Sequence, residues 1–142
     1  MSKEYDLERF VKAQQLSYSW ALREMKAGRK QTHWMWYIFP QLKALGRSYN
    51  AHYYGIADLA EARAYLAHPI LGARLREISA FLLMLEINDP RLVMGSPDDM
   101  KLRSSMTLFA KATDDNEVFL AVLDKFYGGE QDRFTLRILD IK

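Results

Sequence analysis

At 142 residues, with 49% apolar and 27% charged residues, the chain has the size and balance of one globular domain able to bury its own core. Twenty basic and 18 acidic residues leave a formal charge of +2, too little to argue for nucleic acid, and the aromatic content excludes a disordered chain. The absence of cysteine excludes disulfide frameworks, Cys-ligated zinc and thiol catalysis.

The amino terminus, Met1-Ser2-Lys3-Glu4-Tyr5-Asp6, has no apolar run of the signal-peptide kind. The first predicted helix has Leu7, Phe10, Val11, Tyr18, Ala21, Leu22 and Met25 on one stripe, with Glu8, Arg9, Lys12, Ser19 and Arg23 facing away. Asp6 is the expected N-cap and Gly28 the expected stop. Gln14 interrupts the apolar stripe, and a buried amide must find partners or destabilise the fold. The expected partner is the backbone of a neighbouring loop; the alternative is a ligand.

A basic, polar run, Gly28-Arg29-Lys30-Gln31-Thr32, leads into His33-Trp34-Met35-Trp36-Tyr37-Ile38-Phe39-Pro40-Gln41. This block brings large apolar area together with the polar handles of Trp, Tyr, His and Gln. Gln41 to Gly46 reads as a short helical turn ended by glycine, and Asn50 to Ile56 as an irregular linker. Asp58 caps a helix over Leu59 to Leu66 that His68-Pro69 ends, with Pro69 suited to the first position of the next helix. That next helix carries Ile70, Leu71, Leu75, Ile78, Phe81, Leu82 and Leu85, and is expected to be the central one. Ser96-Pro97-Asp98-Asp99 predicts a helix start with Ser96 as N-cap. Leu102, Met106, Phe109 and Ala110 form its buried stripe; Lys101, Ser105 and Leu108 fall at its edge, and Arg103, Ser104, Thr107 and Lys111 further round. Asp114 or Asp115 begins a further helix, with Val118, Phe119, Val122, Leu123 and Phe126 inward and Gly128-Gly129 as its stop. Met35–Phe39 and Thr135–Leu139 are the weak strand candidates.

These elements predict an all-α fold, a compact single-domain bundle of about six helices with an irregular aromatic-rich connection. It spans residues 1–142 with its core from about residue 6 to residue 139. The longest apolar-rich run, Ile78 to Ile87, is about half a membrane span and contains Glu86, so no membrane partner and a cytoplasmic location are expected.

The three histidines, His33, His52 and His68, show no metal-ligand spacing, and no glycine-rich phosphate loop or Gly-x-Ser-x-Gly elbow is present. No metal or cofactor is therefore expected. Two segments do concentrate chemistry. Asp98 to Met106 places Lys101, Arg103, Ser104 and Ser105 near a helix amino terminus, where anions are favoured, although Asp98 and Asp99 already supply negative charge there. Capping, with an Asp99–Arg103 pair one turn apart, accounts for part of this composition. In the aromatic block, core packing competes with an amphipathic pocket wall.

Phe10-x-x-Ala13-Gln14, the block His33 to Gln41, His68-Pro69-x-Leu71-Gly72-x-Arg74-Leu75 and Asp99-x-Lys101-Leu102-x-Ser104-Ser105-Met106-Thr107-Leu108-Phe109 resemble an uncharacterised bacterial family of small single-domain proteins that often carries the label calpastatin. The resemblance runs from Phe10 to Leu136 and implies a compact all-α fold, with no established activity. Eukaryotic calpastatin works through largely disordered repeats, and the ordered, aromatic-rich composition here is opposite in character. A fainter similarity, over Lys101 to Phe126, is to the YbiA-like, ADP-ribose-linked proteins that act on N-glycosidic bonds of nucleotide derivatives. Their catalytic Glu and Trp-Asp positions have no clear match here, so the similarity implies no residue role.

Two readings follow. In the first, a nucleotide or ADP-ribose-like metabolite stacks on Trp34 or Trp36 beside Gln41, Lys101, Arg103, Ser104 and Ser105 hold its anionic part, and His33 is the acid–base candidate. In the second, the domain is a non-catalytic interaction or structural unit and the same residues form a polar-seamed core. On the first reading the aromatic block meets the helix that starts at Ser96, and the ligand lies where they meet.

Overall fold

The computed structural model describes residues 5–140; Met1–Glu4 of the amino-terminal stretch read above lie outside them. The described residues form nine α-helices and one 3-10 turn: α1 Glu8–Ala27, α2 Met35–Ile38, the turn Lys43–Leu45, α3 Tyr49–Tyr53, α4 Leu59–Ala67, α5 Leu71–Leu83, α6 Pro90–Met94, α7 Asp98–Ala112, α8 Glu117–Tyr127 and α9 Arg133–Ile138. The fold is all-α. The count exceeds about six because α2, α3, α6 and α9 are single short turns, too short to leave a periodic stripe in the sequence. Asn50–Ile56 therefore contains a helix rather than a linker, and both strand candidates are helical turns. The only sheet-like pairing among the described residues is an isolated parallel bridge between Leu42 and Ile56.

The apolar stripe of α1 packs on α2 and α5. Gly28 closes the helix in the left-handed conformation, φ 83°, with its N–H on the Met25 carbonyl at 3.1 Å. Asp6 does not cap it; Leu7 occupies that position without a side-chain bond. Arg9, expected to face away, folds back onto Glu61, Nη1 to Oε2 at 3.1 Å, and donates to the Tyr53 and Gly55 carbonyls.

The central helix is α7, not α5. It packs against α4, α6, α8 and α9 and is buried almost all round from Ser104 to Ala110. Its hydroxyls permit this. Ser104 and Thr107 return their protons to the carbonyls one turn back, Met100 at 3.2 Å and Arg103 at 2.8 Å, so a face that looks polar in the sequence is satisfied within the helix. The Thr107 oxygen also accepts the Asp132 N–H at 2.9 Å and ties α7 to the start of α9. The α5 helix buries Leu71, Leu75, Ile78 and Leu82 against α1, α4 and α8. Its carboxyl end is closed by Lys125, whose ammonium donates to the carbonyls of Leu82 at 3.0 Å, Leu83 at 3.2 Å and also Leu85.

Asp58 caps α4 as its position predicts, accepting the Glu61 N–H at 2.9 Å. The other expected starts shift by one to three residues. Pro69 precedes α5 rather than opening it, and the His68 Nδ1 accepts the Ile70 N–H at 3.1 Å. Ser96 is exposed and caps nothing; α7 begins at Asp98, with the Asp99 N–H on the Gly95 carbonyl at 2.8 Å. Asn116, not Asp114 or Asp115, precedes α8. Three caps had no counterpart in the sequence reading: Ser48 at α3, Asp89 at α6 and Asp132 at α9. Among the described residues, no helix is long and apolar enough to cross a membrane.

Candidate ligand groove

The polar groups of the core decide where the aromatic block points. Gln14 is 1% exposed, and its amide donates to the Tyr37 carbonyl at 2.7 Å and approaches the Tyr65 hydroxyl at 3.1 Å. Its oxygen accepts from Arg74 at 3.3 Å. The backbone partner expected for this amide is thus supplied by α2 itself. Glu24 clamps the connection before α2: it accepts the N–H groups of Gln31 at 2.7 Å and Thr32 at 3.1 Å, the Thr32 hydroxyl at 2.6 Å and the Trp34 indole N–H at 2.9 Å. Burial raises the pKa of this carboxyl, but the bonds from Thr32, Gln31 and Trp34 outweigh it and hold the group below the ordinary value.

This clamp draws Trp34 inward, to 1% exposed, together with Met35, Ile38 and Phe39. Trp36 and Tyr37 stay half-buried at the surface. Trp36 lies under the Lys101 ammonium, 5.9 Å from ring centre to Nζ, so the aromatic block and α7 do meet. Behind that contact is a cavity of about 10 Å³, space for about one water and no more.

Beside it lies an open groove of about 420 Å³, with Gln41, Leu45 and Arg47 on one side, Pro97, Met100, Lys101 and Ser104 on the other, and Asp132 and Phe134 at its end. Phe134 is 57% exposed and Met100 is also exposed, so the groove has an apolar rim. Lys101 makes a loose pair with Asp98 at 3.7 Å, while the other oxygen of Asp98 is held by Lys30 at 2.9 Å. Arg47 makes no ion pair among the described residues. The Asp132 carboxylate is engaged, accepting the Thr135 N–H at 2.9 Å and hydroxyl at 2.7 Å with Arg103 at 4.0 Å. The groove therefore presents net positive charge to solvent.

Of the residues singled out in the sequence, Gln41, Lys101 and Ser104 line this groove, and Trp36 backs Lys101. Trp34 is sealed in the core. Ser105 is wholly buried, and its hydroxyl has no hydrogen-bond partner. Arg103 turns to Glu130 at 3.6 Å and to Asp132, so the Asp99–Arg103 pair does not form; the Asp99 carbonyl accepts the Tyr127 hydroxyl instead. His33 is exposed in a separate depression with Ser17, Trp20, Thr32 and Trp34. Sequence reasoning missed Arg47, Met100 and Phe134. Arg47 lies in the connection before α3 and Phe134 in the short α9, where no periodicity marks them, and Met100 lies in the first turn of α7 outside its buried stripe.

Fold and site together define a small all-helical domain with a solvent-open, cationic, apolar-rimmed groove. The chain belongs to the family described as "Protein of unknown function (DUF1810)", which it matches over residues 4–139. It is similar to the crystal structure of the conserved hypothetical protein Rv1873 from Mycobacterium tuberculosis, at 49% identity and a TM-score of 0.94, over 97% of this chain and 99% of that one. No curated protein matches it.

Proposed function

We propose that the groove binds a small anionic metabolite with a flat or apolar part, of the nucleotide or ADP-ribose type. The observation that carries this is the convergence of Arg47 and Lys101, with Gln41 and Ser104, on an open groove of about 420 Å³ rimmed by Phe134 and Met100. Two cations fit a phosphate, the Gln41 amide supplies an orienting bond, the Ser104 oxygen can accept one while its proton stays on Met100, and the exposed ring offers a stacking face. A volume of this order is in the range of small-molecule sites. The reading is one of binding. His33, the acid–base candidate, faces the other depression and has no part in it.

The test is calorimetric titration with AMP, ADP-ribose and uncharged adenosine. Saturable binding of the phosphorylated probes, weaker binding of adenosine and a loss of about tenfold in affinity in Lys101→Ala are expected, one charge-assisted contact being worth about 1.4 kcal/mol. His33→Ala is expected to leave affinity unchanged. No binding of either phosphorylated probe, or binding indifferent to Lys101→Ala, overturns the reading.

A further inference from the structure

The three tryptophans have different fates. Trp34 is buried and Trp36 half-buried, but Trp20 in the middle of α1 is 54% exposed, and Leu16, one turn before it, is 84% exposed. Trp20 forms one wall of a depression of about 270 Å³, completed by Ser17, Thr32, His33 and Trp34. Lys12 and Arg23 stand one turn to either side of the Leu16–Trp20 pair on the same helix stripe. The Arg23 guanidinium lies 4.7 Å from the centre of the Trp20 ring, and neither cation makes an ion pair among the described residues.

From Lys12 to Thr32 the chain has five basic residues, Lys12, Arg23, Lys26, Arg29 and Lys30, and a single acidic one, Glu24. That carboxylate is buried and engaged by the donors of Gln31, Thr32 and Trp34. The face is therefore apolar at its centre and cationic at both ends, without an exposed carboxylate between Lys12 and Thr32; the exposed Glu8 lies one turn beyond Lys12. Exposed Trp and Arg around a small concavity are the residues and shape that anchor protein interfaces. A second copy is a poor occupant, because facing copies of α1 set cations against cations.

We propose that this face of α1 binds an acidic segment of a partner protein, whose apolar side chain enters the depression against Trp20 while its carboxylates meet Lys12 and Arg23. Leu16 extends the apolar strip for a partner in helical form, the anchors then lying one turn apart. The site is independent of the groove at Lys101.

The probe is a short fluorescein-labelled peptide with Leu and Phe one helical turn apart among glutamates. Its partners in the test are the same peptide with lysines for glutamates, the same peptide with alanines for Leu and Phe, anionic phospholipid vesicles, and the protein alone in sedimentation velocity. Saturable binding of the acidic apolar peptide only, a shifted Trp20 indole N–H resonance, and an affinity loss of about tenfold or more in Trp20→Ala and in Arg23→Glu are expected. Both side chains are exposed, so helical circular dichroism should be unchanged, and Lys101→Ala should bind the peptide as wild type does. No saturable binding, equal binding of the lysine peptide, vesicle binding without peptide binding, or self-association abolished by Trp20→Ala each overturns the proposal.

Discussion

Gln14 shows how much a single buried amide can organise. Its three contacts join α1 to the Tyr37 carbonyl of α2, the Tyr65 hydroxyl of α4 and the Arg74 guanidinium of α5. Replacing it with Leu keeps the volume roughly but leaves those groups without their partner. Gln14→Leu is expected to lose about 1–3 kcal/mol in urea unfolding, with no change in helix content. A variant as stable as wild type would mean that water reaches these groups. Glu24 acts in the same way on the connection: one carboxylate fixes four donors between Gln31 and Trp34 in a run that reads as basic and polar.

At the scale of elements, α4 and α5 meet closely at the corner that joins them. A Cβ placed on Gly72 would lie 2.1 Å from the Leu66 carbonyl oxygen, so the corner at His68-Pro69 is as tight as it is because residue 72 has no side chain. Gly72→Ala would gain helix propensity of about 1 kcal/mol in an open helix. Here the clash must displace backbone, and the net effect is expected to be destabilising, by about 1–3 kcal/mol or more, measured as a lower thermal midpoint. The same scale explains the rank of α7. A helix bearing Ser104, Ser105 and Thr107 looks amphipathic, yet it sits at the centre because Ser104 and Thr107 satisfy their hydroxyls on its own backbone.

At the scale of the molecule, one contiguous apolar core runs from Phe10 to Phe126, and tyrosine hydroxyls sit within or against it. Burial, first of all, raises the pKa of Tyr18, Tyr65 and Tyr127 well above the ordinary value of 10.0. In the unfolded chain these groups ionise as pH passes about 10; in the folded chain they stay neutral. A raised folded pKa contributes stability that is complete below the unfolded value and is lost above it. Stability is therefore expected to fall steadily once pH exceeds about 10, seen as a falling urea midpoint, and the share of the tyrosinate absorbance that belongs to Tyr18, Tyr65 and Tyr127 should appear with unfolding rather than before it. Tyrosinate absorbance developing fully in the folded protein would contradict this. The groove, too, exists only at this scale: Gln41 and Arg47, Lys101 and Ser104, and Phe134 come from three separate parts of the chain.

The amino-acid sequence by itself determined the all-α class, the five longer helices, the helix stops at Gly28 and Gly128, the Asp58 cap and the burial of Gln14. Each of these rests on local periodicity or on one residue's conformational preference, which need no partner to be read. The meeting of the aromatic block with α7 followed from chemistry concentrated in those two segments, and Trp36 over Lys101 bears it out. Only the tertiary structure decided which side of the block faces inward, because the Glu24 clamp that turns Trp34 into the core acts through bonds no pattern encodes. It also decided that α7 is central, that Ser105 is sealed, and that Arg47 and Phe134 border the groove while His33 faces elsewhere. Those outcomes depend on how helices cross and on which short turns lie between them, and so on contacts between residues far apart in the chain.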